Sequence, residues 1–370
     1  MKLPTKYHPL YMLSALGAGG LTVAFWKLGN VTRQTPPLLA GQVFFLLLAA
    51  TLLIANLPHW WHTFRANSAN FFGLHLPHSQ GEAARIKERP PVVAATGWMA
   101  LPAAYVMLLN AAFAVIPTVL HIELSRIVFL GFWMWIGAVL LVGVLGLQIM
   151  LNSFATPIDI SEFHLGLFLQ PLAYGLVAIP GLRMASMLPG GYADVALVLG
   201  VTVGALGTAI AALVITFAVL RFMTSGLPGP EAAPTTLLMM PAISVYTIMT
   251  LFGLHFLMHH GVEVPHVIFK LVTAVGWGMM ASTTLVGLLI LLDYFRHHVP
   301  LSPSWWGFVC PFVAFSVMNS LAYQQIGHYP LFLALAVGSL VFTVFIYGYV
   351  AVRTLKHLRT PQSAAARAQS

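Results

Sequence analysis

Phe308, Phe312 and Phe315 fall at i, i+4 and i+7, one face of a helix, around Pro311 and the chain's single cysteine, Cys310. Turned toward the axis of a membrane conduit, three such rings would plug it as a hydrophobic gate. Turned toward a neighbouring helix or lipid, they would be packing. Polar side chains recur at matching offsets from other prolines: Tyr105 and Tyr174 three residues after Pro102 and Pro171, Ser244 three after Pro241, and Asn110 and Asn319 eight after Pro102 and Pro311. Such groups line a hydrated passage or bond one helix to another within a bilayer. Arg126, Arg183 and Lys270 stand near the ends of hydrophobic runs. There a basic side chain either charges a pore mouth or anchors its helix by snorkelling.

What is missing narrows the chemistry further. The acids Glu123, Asp194, Glu263 and Asp293 fall at or near the ends of the hydrophobic runs, whereas a proton pump or cation carrier needs carboxylates in its pathway. A neutral conduit remains, selective through backbone dipoles, hydroxyls, width and mouth charge. The fifteen histidines raise a rival, a membrane haem or quinone oxidoreductase subunit. His255 and His259 lie at i and i+4, but no pair stands at matching depth on two helices as haem ligation requires. With no Walker loop, dinucleotide fingerprint or HExxH motif, no enzymatic activity, cofactor or metal is expected.

The elements that would position these residues follow from composition. The chain is 59% hydrophobic and 7% charged, with a mean hydropathy of +0.87, against roughly 25% charged residues in a soluble domain. It reads as an all-α integral membrane protein with the lipid bilayer as its solvent. At about 20 apolar residues per crossing, the 370 residues hold ten spans. They are placed at about 9 to 27, 38 to 57, 94 to 117, 127 to 151, 164 to 182, 195 to 220, 235 to 258, 267 to 292, 305 to 325 and 331 to 352. The expected organisation is one membrane domain over 1–353 with a long loop at 58–92, then a basic, disordered tail at 354–370. The net charge of +8 is spread over flanking loops, not gathered on an aromatic-studded face, so no nucleic-acid partner is expected. A cytoplasmic N-terminus puts 12 of the 17 basic residues inside, satisfying the positive-inside rule with both termini cytoplasmic in a bacterial inner membrane. Lys2 and Lys6 before an apolar run resemble a signal peptide in outline, but without a small-residue cleavage pattern the first run is expected to be a retained helix.

Pro102, Pro171, Pro241 and Pro311 are separated by 69, 70 and 70 residues, one in each of spans three, five, seven and nine. This period signals a duplicated helix hairpin. Span one would be the fifth copy, with Gly17, Gly19 and Gly20 in place of proline and the long loop as an insertion. A proline inside a span frees a carbonyl that only protein or a water-filled cavity can satisfy. The odd-numbered helices are therefore expected to be inner, broken at one depth, and to enclose a mid-membrane cavity.

Pro303-Ser304-Trp305-Trp306-Gly307-Phe308 leading into the Pro311 helix resembles the ninth-helix signature of the tellurite-resistance/dicarboxylate transporter family, which includes fungal malate permeases and plant slow anion channels. Pro234-Thr235-Thr236 before Pro241-Ala242-Ile243-Ser244 is similar to its seventh helix, and Leu16-Gly17-Ala18-Gly19-Gly20-Leu21 to its first. The resemblance implies five hairpins in quasi-fivefold arrangement around a central pore. It also implies a homotrimer, and a small anion or C4-dicarboxylate as substrate. A proton-coupled malate or tellurite-related permease is the alternative within that family. Members occlude the pore with a ninth-helix phenylalanine; here Phe308 and Phe312 flank Pro311, and Cys310 immediately precedes it.

Overall fold

A computed structural model describes residues 8–72, 96–155, 160, 163, 165–227, 229–296 and 302–359. Ten α-helices account for nearly all of them: α1 (Leu13–Thr32), α2 (Thr35–Phe72), α3 (Ala100–Leu120), α4 (Leu124–Ala155), α5 (Leu169–Ala185), α6 (Gly191–Ser225), α7 (Met239–His259), α8 (His266–Arg296), α9 (Val309–Gln325) and α10 (Pro330–Arg359). No strand occurs among the described residues. Each helix belongs to a span long and apolar enough to cross a membrane.

Burial divides the helices into two layers. In the five odd-numbered spans 50% to 100% of the most apolar stretch is buried, against 17% to 39% in the even-numbered ones. Leu140, Leu213, Leu285 and Phe345 of the outer helices are exposed, as lipid-facing side chains would be. Contacts between inner helices close a cycle: α1 on α3, α3 on α5, α5 on α7, α7 on α9, and α9 back on α1. Each outer helix rests on its own inner partner and on the next one round, α2 on α1 and α3, α4 on α3 and α5, through to α10 on α9 and α1.

The 70-residue period survives in the starts of the inner helices, at 100, 169, 239 and 309, but the prolines do not break them. Pro102, Pro171, Pro241 and Pro311 are each the third residue of their helix. There the donor that proline lacks is one an α-helix leaves unbonded in any case, and its fixed φ suits the first turn. What the copies share is a 3₁₀ segment ahead of each inner helix: Pro9–Met12, Gly97–Met99, Leu165–Phe168, Pro230–Thr235 and Pro303–Phe308. The expected mid-membrane breaks are thus corrected to helix starts.

The same holds for α1, which runs unbroken through its glycines. A Cβ on Gly17 would lie 2.8 Å from Val309, one on Gly19 2.9 Å from Met107, and one on Gly20 3.0 Å from Val313. These glycines admit side chains of α9 and α3, the use small residues have at helix interfaces in lipid.

Two boundaries also move. The loop expected from residue 58 starts later, because α2 continues through Pro58 to Phe72. Trp60 is buried there, stacked on Phe64 at 4.8 Å and edge-on to Trp98 at 5.4 Å, which anchors these turns. Residues 73–95 of that loop lie outside the described residues. α10 carries the chain to Arg359, and the remainder of the expected tail, 360–370, also lies outside them.

An inner and an outer helix meet backbone to backbone at Gly181 of α5, where a Cβ would stand 2.5 Å from the Trp135 ring of α4, 3.1 Å from Gly200 Cα and 3.2 Å from the Ala196 carbonyl of α6. Gly181→Leu should therefore destabilise the fold by about 1–3 kcal/mol, the usual cost of overpacking, seen as a lower melting temperature in detergent. Leu140→Ala, on the exposed face of α4, should leave the melting temperature nearly unchanged.

Candidate functional site

A cavity of about 260 Å³ lies between the inner helices, and every residue lining it comes from α1, α3, α5, α7 or α9. The repeat is visible in its walls. Counted from each helix start, Gly20, Met107 and Leu176 share one register, Val23, Asn110 and Ile179 the next, and Lys27, Ala114 and Arg183 a third. The spacing of three or four residues between layers is that of one helix face. On α7 the wall runs through Pro241, Ser244, Ile248, Phe252 and His255, and on α9 through Cys310, Ala314, Val317, Leu321 and Gln325.

The electrostatics are one-sided. No aspartate or glutamate lines the cavity, whereas Lys27 and Arg183 do, both toward the C-terminal ends of their helices. Inner helices that run in the same direction gather the negative ends of their dipoles at that mouth. Cations placed there offset this partial charge and leave the mouth positive. Lys27 Nζ donates a hydrogen bond to Gln324 Oε1 at 2.6 Å, so a neutral amide holds the ammonium without cancelling its charge. Away from that mouth the wall is mostly aliphatic, with Ser244, Asn110 and the Cys310 thiol as its polar points.

Gly17, Gly20, Pro241, Ser244, Arg183 and Cys310 are thus brought together on one cavity. Pro102, Pro171 and Pro311 are not among its lining residues. The phenylalanine face is turned elsewhere: Phe312 meets Phe342 of α10 edge-on at 4.7 Å, and Phe308 meets Trp305 at 5.5 Å. Phe315 packs against the core, its carbonyl accepting from Asn319 Nδ2 at 2.8 Å. The reason is angular. At about 100° per residue, the face carrying 308, 312 and 315 cannot also be the face carrying 310, 314, 317 and 321.

The polar residues divide in the same way. The Tyr105 hydroxyl donates to the Met134 carbonyl of α4 at 2.9 Å, and Asn319 Oδ1 accepts from Trp277 Nε1 of α8 at 2.9 Å. Tyr174 is buried with its hydroxyl against Gly146 of α4. Asn110 does both jobs, reaching the Leu176 carbonyl at 3.5 Å while lining the cavity. Arg126 and Lys270 are exposed, on the outer helices α4 and α8.

Sequence reasoning missed Lys27, Trp26, Phe252, His255 and Gln325 as wall residues. A signal for Lys27 existed. Aligning the first copy on Pro9–Met12, and not on its glycines, places Lys27 in the register of Arg183.

A family model described as voltage-dependent anion channel matches residues 6–355. No curated protein matches the chain.

The division of polar residues is testable. Asn319→Ala strands the Trp277 indole N–H inside the bundle, and should lower stability by roughly 0.5–2 kcal/mol, measured by thermal melting in detergent. Ser244→Ala, which removes a hydroxyl from the cavity wall, should cost less than Asn319→Ala in the same assay.

Proposed function

The chain belongs to the voltage-dependent anion channel family, and from that premise we propose that it passes small anions, without energy coupling, through the cavity between its inner helices. The observation that carries this reading is the composition of the wall, which holds two cations and no carboxylate. An anion approaching the Lys27 and Arg183 mouth meets attraction, then a short aliphatic stretch in which no fixed negative charge repels it. A cation meets the opposite field and finds no carboxylate to replace its water.

In finer detail, the proposal is a quasi-fivefold ring of hairpins around one pore, set in a bacterial inner membrane as a homotrimer. Both termini are cytoplasmic, which puts the Lys27 and Arg183 mouth on the outer side. Chloride, nitrate and C4-dicarboxylates are the candidate substrates. Because Phe308, Phe312 and Phe315 are not among the lining residues, occlusion falls to the aromatic rings that do stand on the wall, Trp26 and Phe252. Proton coupling is disfavoured by the lack of a carboxylate on the wall. A haem-binding role is disfavoured because His255 is the one histidine among the lining residues.

Purified protein in liposomes should release chloride or nitrate down a gradient with no pH difference across the membrane. Modification of the Cys310 thiol by a small sulfonate-bearing reagent should stop that flux, since the native chain has no other thiol. Cys310→Ala should conduct and ignore the reagent. Absence of anion flux, or flux only when a pH gradient is imposed, would overturn the reading.

A further inference from the structure

Four of the five inner helices carry, toward their C-terminal ends, a cavity-lining side chain that can donate hydrogen bonds: Lys27 on α1, Arg183 on α5, His255 on α7 and Gln325 on α9. α3 supplies only Ala114 at the register of the two cations. That gap leaves room within a ring of donors. Two of the four have neighbours that hold them in place. Gln324 accepts one hydrogen of the Lys27 ammonium at 2.6 Å, leaving two of its three donors for another acceptor. The His255 ring rests against Phe269 of α8 at 4.8 Å between centroids.

A cationic pair in a mostly aliphatic cavity is costly unless something compensates it. Helix-end dipoles and one neutral amide oxygen compensate the pair in part and no carboxylate lines the cavity, so an anionic ligand there would be held by charge the protein leaves uncancelled. The donor types indicate which kind. A guanidinium presents a planar fork of N–H groups that fits two oxygens at once, and an ammonium acts as a point charge. A small oxyanion uses both, whereas a halide gains only the Coulomb attraction.

We propose that this rim is an anion-binding site in its own right. In it Lys27 and Arg183 hold a small oxyanion, with His255 and Gln325 donating to its remaining oxygens, before it passes the aliphatic stretch. Gln324 and Phe269 are positioning residues, acting through Lys27 and His255. The inference rests on the conduction reading, but it fails separately from it.

The test is the concentration dependence of nitrate conductance by the full chain in planar bilayers, with chloride as comparison. Wild-type conductance should saturate, at a lower concentration for nitrate than for chloride. Lys27→Gln and Arg183→Gln should each raise the half-saturating nitrate concentration about fivefold or more, the effect of losing roughly one charged contact. Lys27→Arg should recover most of what Lys27→Gln loses, and Gln324→Leu should give a smaller rise than Lys27→Gln. In parallel, nitrate at constant ionic strength should raise the melting temperature of the wild type and not of Lys27→Gln or Arg183→Gln, a readout that needs no conduction. Unchanged half-saturation in both variants, or an equal nitrate-dependent rise in melting temperature, would overturn the site while leaving conduction and its Cys310 block intact. Absence of flux in the wild type would instead overturn the conduction reading.

Discussion

Inside a bilayer no water completes a hydrogen bond, so the polar groups of this bundle look for partners in the protein, and among the described residues only the Gln42 amide, the Thr273 hydroxyl and the Trp60 and Trp306 indoles are buried without one. The inner helices meet that constraint through ties that also set their order. The Trp135 indole donates to the Val177 carbonyl at 2.7 Å, joining α4 to α5, and the Tyr246 hydroxyl donates to the Pro171 carbonyl at 2.8 Å, joining α7 to α5. Ser316 of α9 reaches Ala336 of α10 at 2.8 Å, and Tyr347 of α10 reaches Ser14 of α1 at 3.1 Å, which ties the last hairpin to the first. Each bond needs two backbones close together, and glycines such as Gly17, Gly20 and Gly181 permit that approach. The closed contact cycle, and the cavity it leaves between the helices, follow from these short-range demands.

Charge placement depends on the same frame. With the inner helices satisfying their own backbone, few polar side chains remain for the cavity wall, and its middle is left nearly uncharged. Lys27 and Arg183 stand toward helix C-terminal ends, where a cation is stabilised by the dipole of its own helix. The geometry that makes basic residues tolerable there also makes the mouth attractive to anions. On the proposed function, one arrangement thus serves both stability and selectivity.

Much of this was legible in the sequence, and the limits have physical causes. Ten spans, with the odd-numbered ones inner, followed from hydropathy and from the period of Pro102, Pro171, Pro241 and Pro311. What the period did not reveal was the role of those prolines. A proline in the first turn and one in the middle of a helix give the same pattern when the run of apolar residues extends back through a 3₁₀ segment, as at Gly97–Met99 or Leu165–Phe168. The wall of α9 was hidden for a related reason. Large rings at 308, 312 and 315 form the more conspicuous face in sequence, yet the cavity is bounded by the smaller Cys310, Ala314 and Val317. The most apolar face of an inner helix is the one its neighbours bury. Lys27 escaped notice because the first copy was matched on its glycines, two residues out of the register its helix start defines.

The central claim is that a wall with two cations and no carboxylate makes the cavity a route for anions. The most direct measurement is the reversal potential of current through the purified protein in a planar bilayer separating solutions of one potassium salt that differ tenfold in concentration. An anion-selective path reverses near the anion's equilibrium potential, about 59 mV for that gradient, with the sign set by chloride. A reversal potential of the opposite sign, near that of potassium, would contradict the account.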